Sequence, residues 1–256
     1  MKLSIVIPAY NEEEFIGDCL SSILHETEGK NYDLEIIAVN NASTDRTRKI
    51  IASFSEVKLI DEPAKGLVKA RRAGYEASSG ELIANIDADT RMTKGWFDKV
   101  FSEFSKNEKL VGLSGPFIYY DLSKNARAAV KTFYYLGFLS YLLNRYILGV
   151  GSMLQGGNFV VKKTALEEIG GFNSEFDFWG EDADLARRLV KAGQVKFTFD
   201  LPIYASGRRL EKEGMAKTGA RYALNYFSTI FFKKPYETVV KDFRHKYQET
   251  IAKIKE

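Results

Sequence analysis

The sequence predicts an α/β fold, in which helices flank a mostly parallel sheet and a helical extension follows at the C-terminus. Three observations support this prediction. Short runs of β-branched residues alternate with helical patterns through the first half of the chain. The 256 residues, 45% of them hydrophobic, suffice for one domain with a complete core, with or without a small appendage. Basic and aromatic residues recur after residue 211.

The first half of the chain predicts four strands separated by helices. The strands are short apolar runs of the kind that is buried on both faces, at Leu3–Ile7, Leu34–Val39, Val57–Ile60 and Leu82–Ile86. Asn11 is expected to cap a first helix, whose apolar positions run from Phe15 to Leu24. Two further helices are predicted at Asp45–Phe54 and Lys65–Ala77. This alternating order favours parallel strands with helices on both faces of the sheet.

The second half is less regular. It predicts strands at Val111–Tyr119 and Phe159–Val161, and helices at Trp96–Phe104, Asp182–Ala192, Ala216–Phe232 and Tyr236–Lys255. Between them, Thr132–Val161 contains Arg145 as its only charge. Because Arg145 and several glycines interrupt this stretch, we expect it to pack against the sheet or to form an apolar acceptor groove, not to span a membrane.

Composition excludes several classes of function. With 37 Lys and Arg against 34 Asp and Glu, the net charge of +3 argues against a general nucleic-acid binder. One cysteine and two histidines exclude an internal disulfide framework, a Cys-rich zinc site and a His-rich metal centre. Because the chain starts directly with a strand and not with a signal peptide, we expect a cytoplasmic protein. Residues 206–256 carry 12 basic and 6 acidic side chains, so a basic tail follows an acidic body.

Polar segments follow the four predicted parallel strands, at residues 8–12, 40–45, 62–66 and 87–89. In open parallel sheets, ligands bind beyond the carboxyl ends of the strands. Asp87 and Asp89 lie one residue apart after a buried strand, so in an extended chain both project to the same side. Carboxylates in this arrangement suit Mg²⁺ or Mn²⁺. A solvated turn is the alternative interpretation.

Several segments, taken together, resemble the family-2 glycosyltransferases. In order they are IVIPAYNEEE, AVNNASTDRT, EPAKGLVKARRAGYEASSGELIANIDADT and GGFNSEFDFWGEDADLARRLVKAG. The resemblance implies a Rossmann-like GT-A fold. It implies inverting transfer of a sugar from a nucleoside-diphosphate sugar to an acceptor hydroxyl of a glycan or a lipid-linked acceptor, with Mn²⁺ or Mg²⁺. UDP is the first choice of nucleotide, and GDP and dTDP are alternatives.

The resemblance also divides the chain and assigns its donor site. Residues 1–105 would form the nucleotide-sugar-binding half, 106–210 the acceptor-binding half of the same domain, and 211–256 a basic, aromatic extension. The implied donor-site residues are Pro8, Tyr10, Glu12, Asn40, Asp45, Lys65, Gly66, Arg71, Asp87, Ala88 and Asp89, with Asp87 and Asp89 holding the metal. The cationic Lys65 and Arg71 would offset the charge of the diphosphate.

Asn40 departs from the family pattern, which usually has an aspartate on the pyrimidine ring at this position. An amide accepts a hydrogen bond from a ring N–H and donates one to a ring carbonyl, so uracil recognition remains compatible with Asn40. The base identity is nevertheless open. A loop that caps a helix N-terminus is the alternative interpretation of the NNAST segment.

On the acceptor side, the resemblance implies that Asp182 is the catalytic base and that Gly157, Asn158, Trp179 and Glu181 lie at the acceptor or the transferred sugar. An attacking hydroxyl must lose its proton, which one carboxylate accepts. Glu181 would raise the proton affinity of Asp182, and Trp179 would exclude water. Helix capping, a tight glycine turn and aromatic core packing are the competing interpretations. Asp184 is assigned a structural role.

Histidine is absent between His25 and His245, although many relatives supply a third metal-side group there as a histidine. Arg208 or Arg209 can instead bind the diphosphate directly. A sugar-1-phosphate nucleotidyltransferase would need a Gly-rich, basic loop after the first strand, where this chain has the acidic PAYNEEE. A non-catalytic sugar- or nucleotide-binding relative is favoured only by Asn40 and the missing histidine.

The C-terminal extension combines basic and aromatic side chains. This pattern suits either a helical cover packed on the core or contact with an anionic surface at the inner face of the cell membrane. If the second interpretation holds, the acceptor is lipid-linked.

Overall fold

The computed structural model describes residues 1–147 and 152–237. A seven-stranded, mostly parallel sheet forms its centre, as the sequence predicts. Its strands are β1 (Leu3–Ala9), β2 (Leu34–Asn41), β3 (Val57–Glu62), β4 (Leu82–Ile86), β6 (Leu110–Ser114), β8 (Asn158–Lys162) and β9 (Gln194–Phe197), in the order β3-β2-β1-β4-β8-β6-β9. In this sheet β8 runs antiparallel to its neighbours β4 and β6. A smaller sheet joins β5 (Thr90–Arg91), β10 (Ile203–Ala205) and β7 (Phe117–Tyr119).

Helices cover both faces of the large sheet. They are α1 (Ile16–Thr27), α2 (Thr47–Ile51), α3 (Leu67–Glu76), α4 (Trp96–Lys106), α5 (Lys124–Tyr146), α6 (Lys163–Glu168), α7 (Glu181–Leu189), α8 (Arg208–Glu213) and α9 (Met215–Phe232). Alternate residues of β1 point to opposite faces: Ile5 packs with α1 and α4, whereas Val6 packs with α3 and α7. A strand buried on both faces must be apolar throughout, which explains its sequence.

The polar loops after β1, β2, β3 and β4 lie at one edge of the sheet. Parallel register pairs Ala9 with Asn40, and Asn41 with Glu62, so the carboxyl ends of three adjacent strands are level. The strand that precedes Asp87 pairs with β1 on its other side. The prediction that these loops meet is therefore confirmed.

Three helices begin later than predicted, and for α3 the difference is only from Lys65 to Leu67. The helix α1 begins at Ile16, and Asn11 does not cap it. Asn11 has a positive φ of 50° in a turn, where its side chain accepts a hydrogen bond from the Thr44 N–H at 2.8 Å. The second helix, α2, begins at Thr47, because the Asp45 carboxylate accepts the Thr47 N–H at 2.9 Å. Both polar side chains thus hold loops at the edge of the sheet.

The predicted strand Val111–Tyr119 is two strands that belong to different sheets. The break falls at Gly115–Pro116. A side chain at Gly115 would overlap the Leu201 carbonyl, and proline offers no N–H to a strand ladder. The chain therefore leaves the large sheet after Ser114.

The prediction that Thr132–Val161 packs against the sheet is confirmed for Phe159–Val161, which are fully buried in β8, but is wrong for much of its first part. That first part belongs to α5, on which Leu136 and Leu139 are each 61% exposed. Across residues 1–147 and 152–237, the structure contains no helix long and apolar enough to cross a membrane. At the C-terminus, α9 confirms the predicted helix Ala216–Phe232, whereas nearly all of the predicted helix Tyr236–Lys255 lies outside the described residues.

Candidate active site

Hydrogen bonds hold the loops after β1 and β2 against each other. Glu12 donates its backbone N–H to the Thr47 hydroxyl at 2.7 Å, and Glu13 donates its N–H to the Asp45 carboxylate at 3.2 Å. Asp45, predicted at the donor site, is therefore a loop-positioning residue in this structure. Pro8 lies in β1 beside Val39, directly before this loop.

A chain of polar contacts fixes the orientation of Asn40, at the end of β2. Its amide nitrogen donates to the Asp61 carboxylate at 2.8 Å, and Arg48 pairs with the same carboxylate at 2.9 Å. Arg48 and Asn40 lower the pKa of Asp61, so it is an ionised acceptor at neutral pH. Because a carboxylate accepts only, the amide oxygen of Asn40 must point the other way. That oxygen is buried and has no hydrogen-bond partner among residues 1–147 and 152–237.

The loop after β3 brings a cation to the same edge. The ammonium group of Lys65 lies 3.9 Å from the centre of the Tyr10 ring. Gly66 donates its N–H to the side-chain oxygen of Asn41 at 2.8 Å. With a φ of 152°, Gly66 has no room for a side chain, which would come within 2.7 Å of the Asp177 carboxylate. The loop after β3 thus touches the loop that precedes α7.

Asp87 and Asp89 follow β4, as predicted, but their surroundings differ. The Asp87 carboxylate is half-buried and lies 3.6 Å from the guanidinium of Arg71. Loss of surrounding water raises the pKa of Asp87, and Arg71 opposes this rise. The side chain of Ala88, between them, is buried in the core, so a ligand could meet only its backbone.

Arg208, at the start of α8, joins two of the predicted donor-site carboxylates. Its guanidinium lies 2.6 Å from Glu12 and 2.9 Å from Asp89, and it stacks over the Phe15 ring at 4.5 Å. The sequence signal for this contact was weak, because Arg208 lies 196 residues from Glu12. Its place where relatives carry a histidine was the available hint.

The donor set fits a divalent cation with few protein ligands. Asp87 and Asp89 supply hard carboxylate oxygens on one edge of the sheet, and Mg²⁺ and Mn²⁺ accept diphosphate and water oxygens as their remaining ligands. Within the described residues, no cluster of three or more His, Cys, Asp or Glu side chains could hold a metal ion.

Asp182 lies in the first turn of α7 and is held by backbone donors. Its carboxylate accepts the Gly156 N–H at 3.0 Å and the Ala183 N–H at 2.8 Å. Burial raises the pKa of Asp182, although these N–H groups and the charge of Arg71 lower it in part. The carboxylate is therefore fixed in position and more basic than an ordinary aspartate.

Glu181 is buried beside Asp182 and pairs with Arg71, which is itself only 1% exposed. Burial raises the pKa of Glu181 to about 7, despite the opposing charge of Arg71. Arg71 comes from α3, 110 residues earlier in the chain. One buried guanidinium therefore lies between Asp87, at the end of β4, and Glu181, at the start of α7.

The glycines before β8 allow these carboxylates to approach one another. Gly157 has a φ of 83°, and a side chain there would overlap the Asp87 carboxylate. At Gly156, a side chain would lie 3.2 Å from Asp182 and 3.3 Å from Glu181. Gly157 thus lies directly against Asp87, and its predicted contact with the transferred sugar stays a prediction.

Asn158 has a structural role in the core, although the resemblance placed it at the sugar. It is fully buried in β8. Its amide donates to the carbonyl oxygens of Gly115 and Leu201, and its oxygen accepts the Trp96 indole N–H at 3.1 Å. Asp184 is also structural, as predicted, since it is buried between Arg187 and Arg188.

Trp179 is 3% exposed and belongs to an aromatic cluster in front of α7. Phe178 and Tyr222 contact its ring edge-on. The guanidinium groups of Arg209 and Arg221 lie 5.5 and 5.3 Å from its ring centre. The ring is therefore packed away from water just before α7, and its roles in excluding water from Asp182 and in contacting a sugar stay predictions.

Family models match most of this chain. The model described as Glycosyl transferase family 2 matches residues 4–170, which include all four loops at the sheet edge. A second model, described as N-terminal domain of galactosyltransferase, matches residues 149–206, which include Asp182.

Curated relatives align over similar ranges. Glycosyltransferase AglE of Haloferax volcanii is 28% identical over 222 residues, which cover 82% of this chain and 70% of AglE. Poly-beta-1,6-N-acetyl-D-glucosamine synthase of Staphylococcus epidermidis is 28% identical over 81% of this chain and 48% of the synthase. The chain thus spans about half the length of this second relative.

Solved structures share the fold at low identity. Mannosyltransferase PcManGT from Pyrobaculum calidifontis, in complex with GDP-Man and Mn²⁺, has a TM-score of 0.69 at 17% identity, covering 89% of this chain and 63% of that one. The S. aureus protein TarS, in complex with UDP-GlcNAc, has a TM-score of 0.61 at 18% identity, covering 80% and 58%. These likenesses establish a GT-A fold for this chain.

Proposed function

The chain belongs to glycosyl transferase family 2, and we propose that it moves a sugar, with inversion, from a nucleoside-diphosphate sugar to an acceptor hydroxyl. The observation that carries this proposal is the position of Arg71. It contacts Asp87, after β4, and Glu181, which adjoins Asp182 at the start of α7. The guanidinium of Arg71 thus lies between the proposed donor site, at Asp87, and the candidate base, Asp182, and helps to fix the distance between them.

Residues 1–105 form the proposed donor half. The buried oxygen of Asn40 would accept a hydrogen bond from a ring N–H of the base. Uracil, thymine and guanine carry such an N–H, whereas cytosine and adenine present a bare ring nitrogen at the corresponding edge. UDP remains the first choice of nucleotide, with GDP and dTDP as alternatives.

Asp87 and Asp89 would hold Mn²⁺ or Mg²⁺, which stabilises the charge that develops on the departing diphosphate. The protein supplies further positive charge of its own. Arg71 is fixed beside Asp87, and Arg208 is held next to Asp89 by Glu12. Lys65, over Tyr10, brings a third cation to the same rim.

Residues 106–210 form the proposed acceptor half, with Asp182 as general base. Its two backbone hydrogen bonds fix the carboxylate, and its raised pKa favours uptake of the proton from an attacking hydroxyl. The acceptor is a glycan or a lipid-linked molecule. A cytoplasmic protein that binds the inner face of the membrane through its basic, aromatic C-terminal helices would meet such an acceptor.

The proposal is tested with UDP-, GDP- and dTDP-sugars, by measuring donor hydrolysis or transfer in the presence of Mn²⁺. We expect turnover with at least one donor. Asp182→Asn should lower turnover by about 10²–10⁴-fold without weakening nucleotide binding. Asp89→Ala should weaken Mn²⁺-dependent nucleotide binding, whereas the exposed Asp200→Asn should change neither quantity. Full turnover in both site variants would refute the proposed roles, and absence of nucleotide binding would refute the function.

A further inference from the structure

The helix α9 has its polar residues inside and its apolar residues outside. Its buried residues include Thr218, Arg221, Asn225 and Thr229, which form one stripe three or four residues apart. The opposite side exposes Leu224, Phe227 and Phe231, each between 45% and 50% accessible. A helix of a protein surrounded only by water has the reverse pattern.

The helix α5 extends this apolar surface. Leu136, Leu139 and Leu143 follow one another at helical spacing and are 61%, 61% and 45% exposed. The two helices touch, since Asn144 on α5 donates to the Tyr226 hydroxyl on α9 at 3.1 Å. Leu143 and Phe227, the next residues to this pair, are both exposed. We call the surface formed by Leu136, Leu139, Leu143, Leu224, Phe227 and Phe231 the α5–α9 face.

The two helices of the α5–α9 face carry charge of one sign. Neither α5 nor α9 contains an aspartate or a glutamate. Exposed lysines border the face at Lys131, on α5, at Lys217, near the start of α9, and at Lys233 and Lys234, after its end. Basic side chains around exposed Leu and Phe are suited to a surface of anionic lipids, where the rings enter the interface and the lysines meet the headgroups.

We propose that the α5–α9 face binds an anionic membrane surface, with both helices lying in the plane of the interface. Large apolar patches on soluble proteins mark interaction sites, and charge selects the partner here. A second copy of the chain would bring a basic surface against a basic surface. Residues 238–256 are also basic on balance, with five Lys and Arg against three Asp and Glu. An anionic partner complements the charge of this face.

The buried side of α9 connects the α5–α9 face to the candidate base. Arg221 stacks over Trp179, and Thr229 fills the space in front of Gly180, the residue before Glu181. One helix, with a diameter of about 10–12 Å including side chains, thus separates the lipid surface from the start of α7. If the proposed function holds, the acceptor hydroxyl reaches Asp182 from a molecule anchored in that surface.

The test is co-sedimentation of the full chain with vesicles, without any donor. We expect binding to vesicles of phosphatidylcholine mixed with phosphatidylglycerol, loss of this binding at high salt, and little binding to phosphatidylcholine alone. The double variant Phe227→Ser/Phe231→Ser should bind at least about tenfold more weakly. Lys233→Glu/Lys234→Glu should also weaken binding. Tyr204→Ser, at an exposed aromatic residue of β10, serves as the matched control and should bind like the wild type.

A second measurement identifies the occupant. A polarity-sensitive dye on Phe227→Cys should respond only when anionic vesicles are added, since Cys19 is buried. A response without vesicles, or a wild-type dimer that Phe227→Ser/Phe231→Ser dissociates, would refute the proposal, as would vesicle binding that ignores lipid charge. Donor hydrolysis is measured in parallel. If hydrolysis persists without vesicle binding, only this inference fails; if vesicles bind without hydrolysis, the proposed function fails.

Discussion

In the proposed donor half, functional side chains follow the ends of adjacent parallel strands, whereas in the acceptor half they follow glycines with positive φ. Asn40 and Asp87 are level because β1 lies between β2 and β4 in register. Asp182 depends instead on Gly156, which donates its N–H to the carboxylate, and on Gly180, whose left-handed backbone precedes α7. Regular strand pairing can be read from local patterns, but an arrangement built on glycine turns and distant ion pairs depends on the whole fold.

Replacing Arg71, whose charge lies between the donor and acceptor halves, should have the largest effect on stability and turnover. Arg71→Met leaves Glu181 buried without its partner, so we expect a loss of about 3–5 kcal/mol in unfolding free energy and loss of turnover. Urea unfolding and donor hydrolysis measure the two effects. Arg72→Met, at an exposed neighbour, should cost less than about 0.5 kcal/mol.

The double variant Arg71→Met/Glu181→Leu separates stability from function. Apolar replacement of a buried ion pair is often neutral, so most of the lost stability should return while turnover stays low. If turnover returned as well, Arg71 would not link the two halves of the site.

Gly157 belongs to the proposed acceptor half, but a side chain at this position should weaken donor binding. In Gly157→Ala the new methyl group would displace the Asp87 carboxylate. We expect Mn²⁺-dependent UDP binding to weaken by up to about 10²-fold, since small displacements of a site are costly. Gly171→Ala is the matched control, because Gly171 also has a positive φ but open space around it.

Both glycine variants should lose a similar amount of stability, roughly 1–2 kcal/mol, from backbone strain. Only Gly157→Ala should lose binding, which titration calorimetry measures. Equal binding by the two variants would mean that Asp87 does not depend on this close approach.

The limits of sequence reasoning follow the same division. Asp87 and Asp89 could be predicted, because a buried strand ends immediately before them. The contacts of Arg71 with Glu181 and of Arg208 with Glu12 could not, since 110 and 196 residues separate the partners. Leu136 and Leu139 show the remaining difficulty: an apolar pattern indicates that side chains leave water, but not whether they meet the protein's own core or a partner.

The two carboxylates of α7 should make activity and stability respond to pH in opposite directions. Asp182 must be ionised to accept a proton, and burial raises its pKa. The maximal rate should therefore fall about tenfold per pH unit below that pKa, and the fall should begin above the usual range of an aspartate. A rate that stays constant down to pH 3.8, the ordinary pKa of an aspartate, would argue against Asp182 as the base.

Glu181 should make the stability of the folded protein depend on pH. Its pKa is about 7 in the folded protein and 4.5 as the ordinary value, so the folded state binds the extra proton. The contribution of Glu181 to the free energy of unfolding is therefore greatest below pH 4.5. It declines as the pH rises toward 7. Urea midpoints across this range should show the decline in the wild type, and a smaller one in Arg71→Met/Glu181→Leu.

The smallest effect is expected at Asp61, where the donor half positions a side chain by a short local contact. Asp61 is partly exposed, so Asp61→Ala should leave the fold intact but free the Asn40 amide to turn. Its nitrogen can then face the base, which weakens binding of UDP by about threefold to tenfold and improves binding of CDP. Arg48→Ala removes the other partner of Asp61 and should preserve the preference for UDP. An unchanged ratio of UDP to CDP affinity in Asp61→Ala would show that Asn40 does not select the base. The residues at the ends of the strands would then bind only the diphosphate part of the donor.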